Sequence, residues 1–408
     1  MFPSILSVNL RRCVYACIMI SFCFFSLQSL QAQTTAKAVP VLELSGNSYE
    51  RGLQHGKTLK QDIAAVYTKW KDNIRNDTKG DPDSVLNAFR KAIHFEPIIR
   101  KYAPAMLDEM KGLAVGSGQS FEDVYAFQLV DEYWVYRNRQ NNEEKHHCSG
   151  IGVPATAGRP AYIAQNMDLE NYMQGYQVLL HISSTVTEPE QYILSCAGLV
   201  ALGGMNGKGI GLCMNTLMEL ESSINGLPVA FIVRAVLAKQ DGKEALQFLQ
   251  TVKHASGQNY ILGIADSVYD FEASANQVVR FKPATGESQA VYHTNHALVN
   301  HDVKPWYKTY HEEVIAAASK TRDSEIRFAS LERRLNKPAS GITADLIKQT
   351  LRSKDNAKSP VCRAYSANGF GFTFSSILYT LGGKRSVSLT NGSPDQSEYK
   401  TYYFSQQP

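Results

Sequence analysis

The character of the sequence changes at Cys148. Before it, residues 43 to about 136 carry apolar side chains at three- and four-residue spacing, which predicts helices. After it come short apolar strands and glycine turns, then helical patterns between residues 228 and 351, and closing strands from residue 373. Strands, a helical block and further strands fit two antiparallel sheets between helical layers. The sequence therefore predicts an α+β fold with four layers, αββα, preceded by a helical segment.

Local signals make this prediction more specific. Asn206-Gly207 lies between two apolar runs and predicts a β-hairpin. Ser48 is the expected cap of a helix whose apolar face includes Ile63, Trp70 and Ile74, and Ser120 with Asp123 resembles a capping box.

The first 32 residues have the features of a secretory signal peptide. Arg11 and Arg12 form a basic start, residues 13–30 carry no charge, and Ala32 offers a small residue for cleavage. The expected location is therefore periplasmic or secreted, with no stable membrane insertion once the segment is removed. An N-terminal membrane anchor remains the alternative, because an uncharged stretch of 18 residues approaches the length that spans a bilayer.

Charge and cysteine content exclude several classes of function. Removing residues 1–32 takes away Arg11 and Arg12 and no acidic residue, so the formal net charge falls from +4 to +2. Such a balance gives no reason to expect a nucleic-acid partner. Four cysteines remain, which are too few and too scattered for a disulfide scaffold. The sequence contains no CxxC pair, so a structural zinc site is not expected either. The four cysteines are Cys148, Cys196, Cys213 and Cys362.

Cys148 begins an apolar strand directly after the polar segment 141–147, which is expected to be open to cleavage. A second strand ends in residues 165–168, so a hairpin would place Asp168 beside Cys148. A free cysteine has a pKa of about 8.5 and a free α-amino group about 7.7–8.0, so the amine can accept the thiol proton. If the chain is cut before Cys148, this residue supplies both nucleophile and base. The alternative for Cys148 is a small buried hydrophobic residue.

Four stretches together resemble the acyl-coenzyme A:6-aminopenicillanic acid acyltransferase family of N-terminal-nucleophile hydrolases. They are residues 42–46 with 49–56, residues 148–149 with 165–168, residues 293–298, and residues 361–365. The choloylglycine hydrolases and penicillin V acylases are similar at greater distance. Gln165 stands where choloylglycine relatives usually carry arginine, which favours the acyltransferase type.

The resemblance implies a chain that is cut between His147 and Cys148. The products are an α fragment, 33–147, and a β fragment, 148–408, that stay associated and need no cofactor. The implied roles are nucleophile for Cys148, orientation of the new α-ammonium for Asp168, oxyanion donor for Asn295 and a fixed positive charge for Arg363. Asn166 and His293 are weaker candidates for contact with a small-molecule amide substrate.

One position departs from the family. Its members usually have glycine before the nucleophile, where this chain has His147. An N-to-S acyl shift remains chemically possible with histidine there; slow maturation or trimming by another protease is the alternative.

The expected activity is hydrolysis of linear amides through a thioester, or acyl transfer if an amine replaces water. Two hypotheses from other classes stay open: a metal-dependent hydrolase using His293, His296 and His301, and an uncut, non-catalytic binding protein. No acidic ligand pattern accompanies the histidines, so no metal is expected.

Overall fold

The computed structural model describes residues 38–138, 147–283, 290–310, 321–336, 339–369 and 371–405. Two β-sheets form the centre of this part of the chain. In chain order the strands are β1 (Val41–Leu44), β2 (Ser149–Val153), β3 (Tyr162–Glu170), β4 (Gln177–Ile182), β5 (Gln191–Cys196), β6 (Gly203–Asn206), β7 (Ile210–Thr216), β8 (Gln258–Ile264), β9 (Ser267–Ala273), β10 (Val278–Phe281), β11 (Val291–His293), β12 (Gly371–Thr380), β13 (Ser386–Leu389) and β14 (Lys400–Tyr403).

One sheet has eight strands in the order β1-β4-β5-β6-β7-β8-β9-β10, and the other has six in the order β11-β2-β3-β12-β13-β14. Neighbouring strands in these two sheets are antiparallel except β1 with β4, which are parallel. The sheets pack face to face, since β2 and β3 contact β7 and β8. Gly150 of β2 permits this close approach, because a Cβ there would lie 2.8 Å from the Ile261 side chain of β8.

Helices cover the outer faces of both sheets. In chain order they are α1 (Ser48–Thr58), α2 (Lys60–Thr78), α3 (Pro82–Ala92), α4 (Glu96–Tyr102), α5 (Pro104–Ser117), α6 (Phe121–Phe127), α7 (Val130–Asn138), α8 (Val229–Leu237), α9 (Gly242–Thr251), α10 (Pro305–Tyr310), α11 (Asp323–Leu335) and α12 (Ala344–Leu351). Helix α8 contacts β6 and β7, whereas α11 contacts β11 and α12 contacts β3 and β12. The predicted α+β fold with four layers, αββα, is confirmed.

Local predictions have mixed outcomes. The hairpin at Asn206-Gly207 joins β6 to β7 as expected. Ser120 caps α6 by accepting a hydrogen bond from the Asp123 N–H at 3.0 Å. The helix expected from Ser48 through Ile74 is two helices, α1 and α2, which meet at Leu59. The cap of α1 is Asn47 and not Ser48, because the Asn47 side chain accepts from the Glu50 N–H and Glu50 bonds back to it. The residues before α1 form β1, an edge strand that the helical periodicity did not predict.

The division of the chain at His147 and Cys148, with its α and β fragments, stays a prediction. Residues 1–37 and 139–146, which include the expected signal peptide and most of the polar segment before Cys148, lie outside the described residues. Among the residues that are described, no helix is both long and apolar enough to span a membrane.

The motif at residues 49–56 makes a close contact between two helices. Gly52 and Gly56 of α1 face Gly112 and Gly116 of α5, where added Cβ atoms would overlap backbone atoms of the opposite helix. On the same side of α1, the buried His55 accepts a hydrogen bond from the Gly198 N–H at 3.1 Å. The motif therefore positions the helical segment against the eight-stranded sheet.

Replacing Gly52 with alanine is expected to destabilise the protein by about 1–3 kcal/mol, because the new methyl group would overlap the Glu109 carbonyl of α5. Urea unfolding measures the difference in the free energy of unfolding between the variant and the wild type. Gly80→Ala is the control, since a Cβ at Gly80 would meet its neighbours at 3.4 and 3.5 Å, an ordinary contact. Equal stability of the two variants would contradict the close helix contact.

Candidate active site

Cys148 lies immediately before β2, at the end of the hairpin that β2 forms with β3. Ser149 pairs with Asn166, which brings the Cys148 Sγ to 3.7 Å from the Asp168 carbonyl oxygen. The Cys148 side chain is buried, with 6% of its surface exposed. The predicted hairpin is present and brings Cys148 and Asp168 together.

The Asp168 carboxylate is buried without a strong partner. In the described part of the chain neither of its oxygens has a hydrogen-bond donor at ordinary geometry, and Arg363 Nε lies 3.8 Å from Oδ2. Burial raises the pKa of Asp168 to about 7, against the opposing effects of the Arg363 guanidinium and the Thr373 hydroxyl. A buried acceptor of this kind favours a nearby ammonium group.

The Cys148 thiol is weakly acidic in the uncut chain. Burial, followed by the charge of Asp168, raises its pKa to about 12. A thiol in this state is almost entirely protonated at neutral pH and is a poor nucleophile. The arrangement therefore needs a base close to the sulfur.

Arg327 of α11 connects several parts of the site, although the sequence analysis did not select it. Its fully buried guanidinium donates to the Cys148 carbonyl at 2.5 Å and to Ser149 Oγ at 3.1 Å. It also donates to Asn295 Oδ1 at 3.1 Å and to Asp323 Oδ2 at 2.7 Å. Arg327 thus fixes the position of the Cys148 backbone relative to Asn295, the candidate oxyanion donor.

Asp323, the first residue of α11, is a second residue that the sequence analysis missed. His147 Nδ1 lies 3.0 Å from its Oδ2, and Arg363 Nη2 lies 3.0 Å from its Oδ1. Burial acts to raise the pKa of Asp323, but the His147 and Arg327 side chains outweigh it and hold this pKa well below its usual value. Asp323 is therefore an ionised anchor for the residue before Cys148 and for Arg363.

Asn295 is oriented by three hydrogen bonds. Its N–H donates to Ser324 Oγ at 2.7 Å, its Nδ2 donates to the Thr216 carbonyl at 3.0 Å, and its Oδ1 accepts from Arg327. A side-chain amide has two N–H donors, and the Thr216 carbonyl uses one. The second can be offered to an oxyanion.

Two cavities meet at this cluster. The Cys148 cavity is open to solvent on one side, and its apolar walls include Val130, Trp134, Met167, Leu199, Leu202 and Met214. The Asn295 cavity is also open to solvent, and its polar walls include His147, Thr216, Glu219, Asn295, Asp323 and Ser324. Thr216 lines both. The site thus offers a largely apolar cavity at Cys148 and a polar cavity at Asn295, with Thr216 between them.

Asp131 of α7 also lines the Cys148 cavity and was missed by the sequence analysis. It accepts a hydrogen bond from Thr216 Oγ1 at 3.0 Å and another from the Gln258 side-chain amide. Burial raises its pKa to about 6, against the effect of these two donors. The sequence feature that could have identified Asp131 is the acidic pair Asp131-Glu132 inside an otherwise apolar helical pattern.

Asn166 and His293 lie away from the walls of both cavities. Asn166 Nδ2 donates to the carbonyls of Leu351 and Val361, each at 2.8 Å, and so ties α12 to β3. His293 Nε2 lies 2.8 Å from Glu272 Oε1, and its Nδ1 lies 2.7 Å from the Thr294 carbonyl. A substrate contact by either residue stays a prediction, and the observed bonds favour a positioning role.

Carboxylates surround the buried His293 ring. Burial acts to lower its pKa, but the carboxylates of Asp270 and Glu272 outweigh this effect and raise it. Both ring nitrogens lie against oxygen atoms, those of Glu272 and of the Thr294 carbonyl, so neither is directed at an open metal site. In the described ranges no three His, Cys, Asp or Glu side chains are placed to hold a metal ion.

Replacing Asn295 with alanine is expected to lower kcat about 10²–10³-fold, the usual effect of losing one oxyanion donor. The half-buried Asn171, whose Nδ2 donates to the Ser366 carbonyl at 2.7 Å, provides the control variant Asn171→Ala. Steady-state kinetics compares kcat of the two variants and the wild type, using preparations in which the same fraction of the chain is cleaved. Unchanged kcat in Asn295→Ala would remove this residue from the mechanism.

Residues 156–396, more than half of the chain, match the model of the family described as acyl-coenzyme A:6-aminopenicillanic acid acyl-transferase. The match includes Asp168, Asn295 and Arg363, and Cys148 precedes it. No curated protein matches the sequence.

Among solved structures, the chain is similar to penicillin V acylase from Agrobacterium tumefaciens. The TM-score is 0.40 and the sequence identity 13%, with 62% of this chain and 85% of that chain covered.

Proposed function

We propose that the chain, which belongs to the acyl-coenzyme A:6-aminopenicillanic acid acyl-transferase family, is an exported cysteine N-terminal-nucleophile enzyme that hydrolyses linear amides. The observation that carries the proposal is the buried Asp168 carboxylate at the same hairpin end as Cys148, with Arg363 no closer than 3.8 Å and no hydrogen-bond donor at ordinary geometry in the described chain. Such a carboxylate suits the ammonium group that cleavage before Cys148 would release. Export rests on the sequence of residues 1–32 alone.

Maturation begins with attack of the Cys148 sulfur on the His147 carbonyl carbon. The bond to the Cys148 nitrogen breaks as that nitrogen takes a proton, and a thioester joins the two residues. Water then hydrolyses the thioester, leaving a His147 carboxylate and a free Cys148 α-amino group. The contact of His147 with Asp323 supports this step, because it holds the acyl side of the bond in place.

In the mature enzyme the Cys148 α-amino group accepts the thiol proton, and the thiolate attacks the substrate carbonyl. The free N–H of Asn295 donates to the oxygen that becomes negative. The α-ammonium gives its proton to the leaving amine, and water resolves the thioester. Asp168 orients the α-ammonium, while Arg363, paired with Asp323, supplies a fixed positive charge near both carboxylates.

The two fragments are expected to remain associated. Val130 and Trp134 of α7 belong to the α fragment and line the cavity of the nucleophile in the β fragment. Loss of the α fragment would expose apolar core and open the site.

Transfer of the acyl group to an amine is the second candidate activity. The polar Asn295 cavity could admit either water or an amine as the group that resolves the thioester. Hydrolysis is preferred because acyl-coenzyme A is scarce outside the cell. An uncut binding protein and a metal-dependent hydrolase are the remaining alternatives.

N-terminal sequencing and intact mass of the purified full chain test the proposal. We expect two co-purifying fragments, one of which begins Cys-Ser-Gly, and loss of amidase activity after thiol alkylation but not after chelator treatment. A metal-dependent hydrolase would show the opposite sensitivities. An active enzyme in which residues 147 and 148 are still joined would refute the mechanism.

A further inference from the structure

We propose that the Cys148 cavity binds short acyl groups that carry a protonated amine, with Asp131 as the residue that recognises the ammonium. This inference rests on the proposed amidase function and adds the substrate class. Asp131 would then determine specificity for the acyl part of the substrate.

Asp131 is a buried carboxylate without a counterion. Its side chain lines the cavity, and both groups that donate to it, the Thr216 hydroxyl and the Gln258 amide, are neutral. No described lysine, arginine or histidine forms an ion pair with it. Burying a charge is costly unless an opposite charge accompanies it.

Some other buried carboxylates in the described chain have such a partner. Glu109 forms two hydrogen bonds with Arg234, at 2.6 and 2.8 Å, and Glu272 lies 2.8 Å from His293 Nε2. The buried Asp270, like Asp131, accepts from a neutral amide, that of Asn259, but it does not line the Cys148 cavity. Asp131 therefore combines a neutral set of donors with a place in the wall of the cavity beside Cys148.

Glu132, the next residue, accepts from the Val229 N–H at 3.0 Å and from Ser256 Oγ at 3.0 Å and does not line the cavity. Burial, followed by the charge of Asp131, raises the pKa of Glu132, and burial also raises the pKa of Asp131. A cation bound in the cavity would favour the ionised form of Asp131, the member of the pair that faces it.

The position of Asp131 favours a short acyl group. Thr216 donates through its hydroxyl to Asp131 and accepts at its carbonyl from Asn295, so one residue separates the carboxylate from the candidate oxyanion donor. An ammonium bound at Asp131 would lie only a few bonds from the attacked carbonyl. The apolar walls would hold the methylene groups between them.

Matched pairs of p-nitroanilides test the inference: butyryl against β-alanyl, and pentanoyl against 4-aminobutyryl. Each pair differs by a methyl group in place of an ammonium group. The wild-type enzyme should prefer the ammonium member about tenfold or more in kcat/KM, the effect of one charge-assisted hydrogen bond in a buried site. In Asp131→Asn this ratio should fall to about one, and Asp131→Glu should restore part of it.

Asp168→Asn is the control, because loss of a residue that orients the amine should slow both members of a pair and leave their ratio unchanged. A second measurement needs no variant: butylammonium should inhibit the wild-type enzyme competitively at a lower concentration than butanol.

The outcomes separate the two proposals. Two results would overturn the inference and leave the proposed function standing. One is Cys148-dependent hydrolysis at equal rates for both members of a pair. The other is a kcat/KM ratio between the two members that Asp131→Asn does not change. No hydrolysis of any anilide by an uncut chain would overturn the proposed function and the inference with it.

Discussion

Replacing Cys148 with alanine is expected to abolish both cleavage of the chain and amidase activity, with a loss in kcat on the order of 10⁴–10⁶-fold. The variant lacks the sulfur that attacks the His147 carbonyl and, later, the substrate. Denaturing gels and intact mass should show a single chain across residues 147 and 148. Progress curves with a chromogenic amide measure the activity.

Cys213→Ala is the matched control, because Cys213 is also a buried, unpaired cysteine but lies within β7. It should mature and retain activity, with a small loss of stability from the deleted sulfur. Cys148→Ser tests the chemistry more finely, since a hydroxyl can still attack and partial processing is expected. Amidase activity in a homogeneous Cys148→Ala preparation would eliminate the nucleophile assignment.

Replacing Arg327 with methionine should reduce the free energy of unfolding by about 3–5 kcal/mol, as expected when one partner of a buried ion pair is removed. The guanidinium is fully buried and bonds to the Cys148 carbonyl, Asn295 and Asp323. Its loss removes the guanidinium donor from the Cys148 carbonyl and Asn295 and one of three partners from Asp323, so maturation and activity should also fall. Urea unfolding monitored by tryptophan fluorescence measures the stability.

Arg334→Met is the control on the same helix. Arg334 pairs with Asp355 at the surface, with a third of its side chain exposed, so its loss should cost less than about 1 kcal/mol. An Arg327→Met variant as stable and as fully processed as Arg334→Met would show that the network does not organise the site.

Much of the fold could be predicted because its signals are local. The hairpin turn at Asn206-Gly207 and the cap at Ser120 depend on a few adjacent residues, and both are present. The edge strand β1 was missed because its pairing with β4 involves residues more than 130 positions away. Strand formation there depends on the partner and is not visible in four residues.

The residues of the site also differ in whether their contacts are local or distant in the chain. Cys148 and Asp168 are joined by one hairpin, so their proximity could be predicted from the strand pattern. Arg327 reaches the Cys148 carbonyl across 179 positions, and Asp131 meets Thr216 across 85. Neither residue stood out in the sequence, because an arginine on a helix and an acid near a helix start are ordinary surface features.

The sequence by itself determined the αββα order of elements, the hairpin that opens at Cys148 and the candidate residues Asp168, Asn295 and Arg363. These follow from periodicity, turn chemistry and recognisable short motifs, which act over a few residues. Only the tertiary structure decided which charges are buried, which carboxylates lack a counterion and which side chains line the two cavities. Burial and ion pairing depend on residues distant in the chain that are brought together by packing of the two sheets and their helices, and no local pattern records that packing.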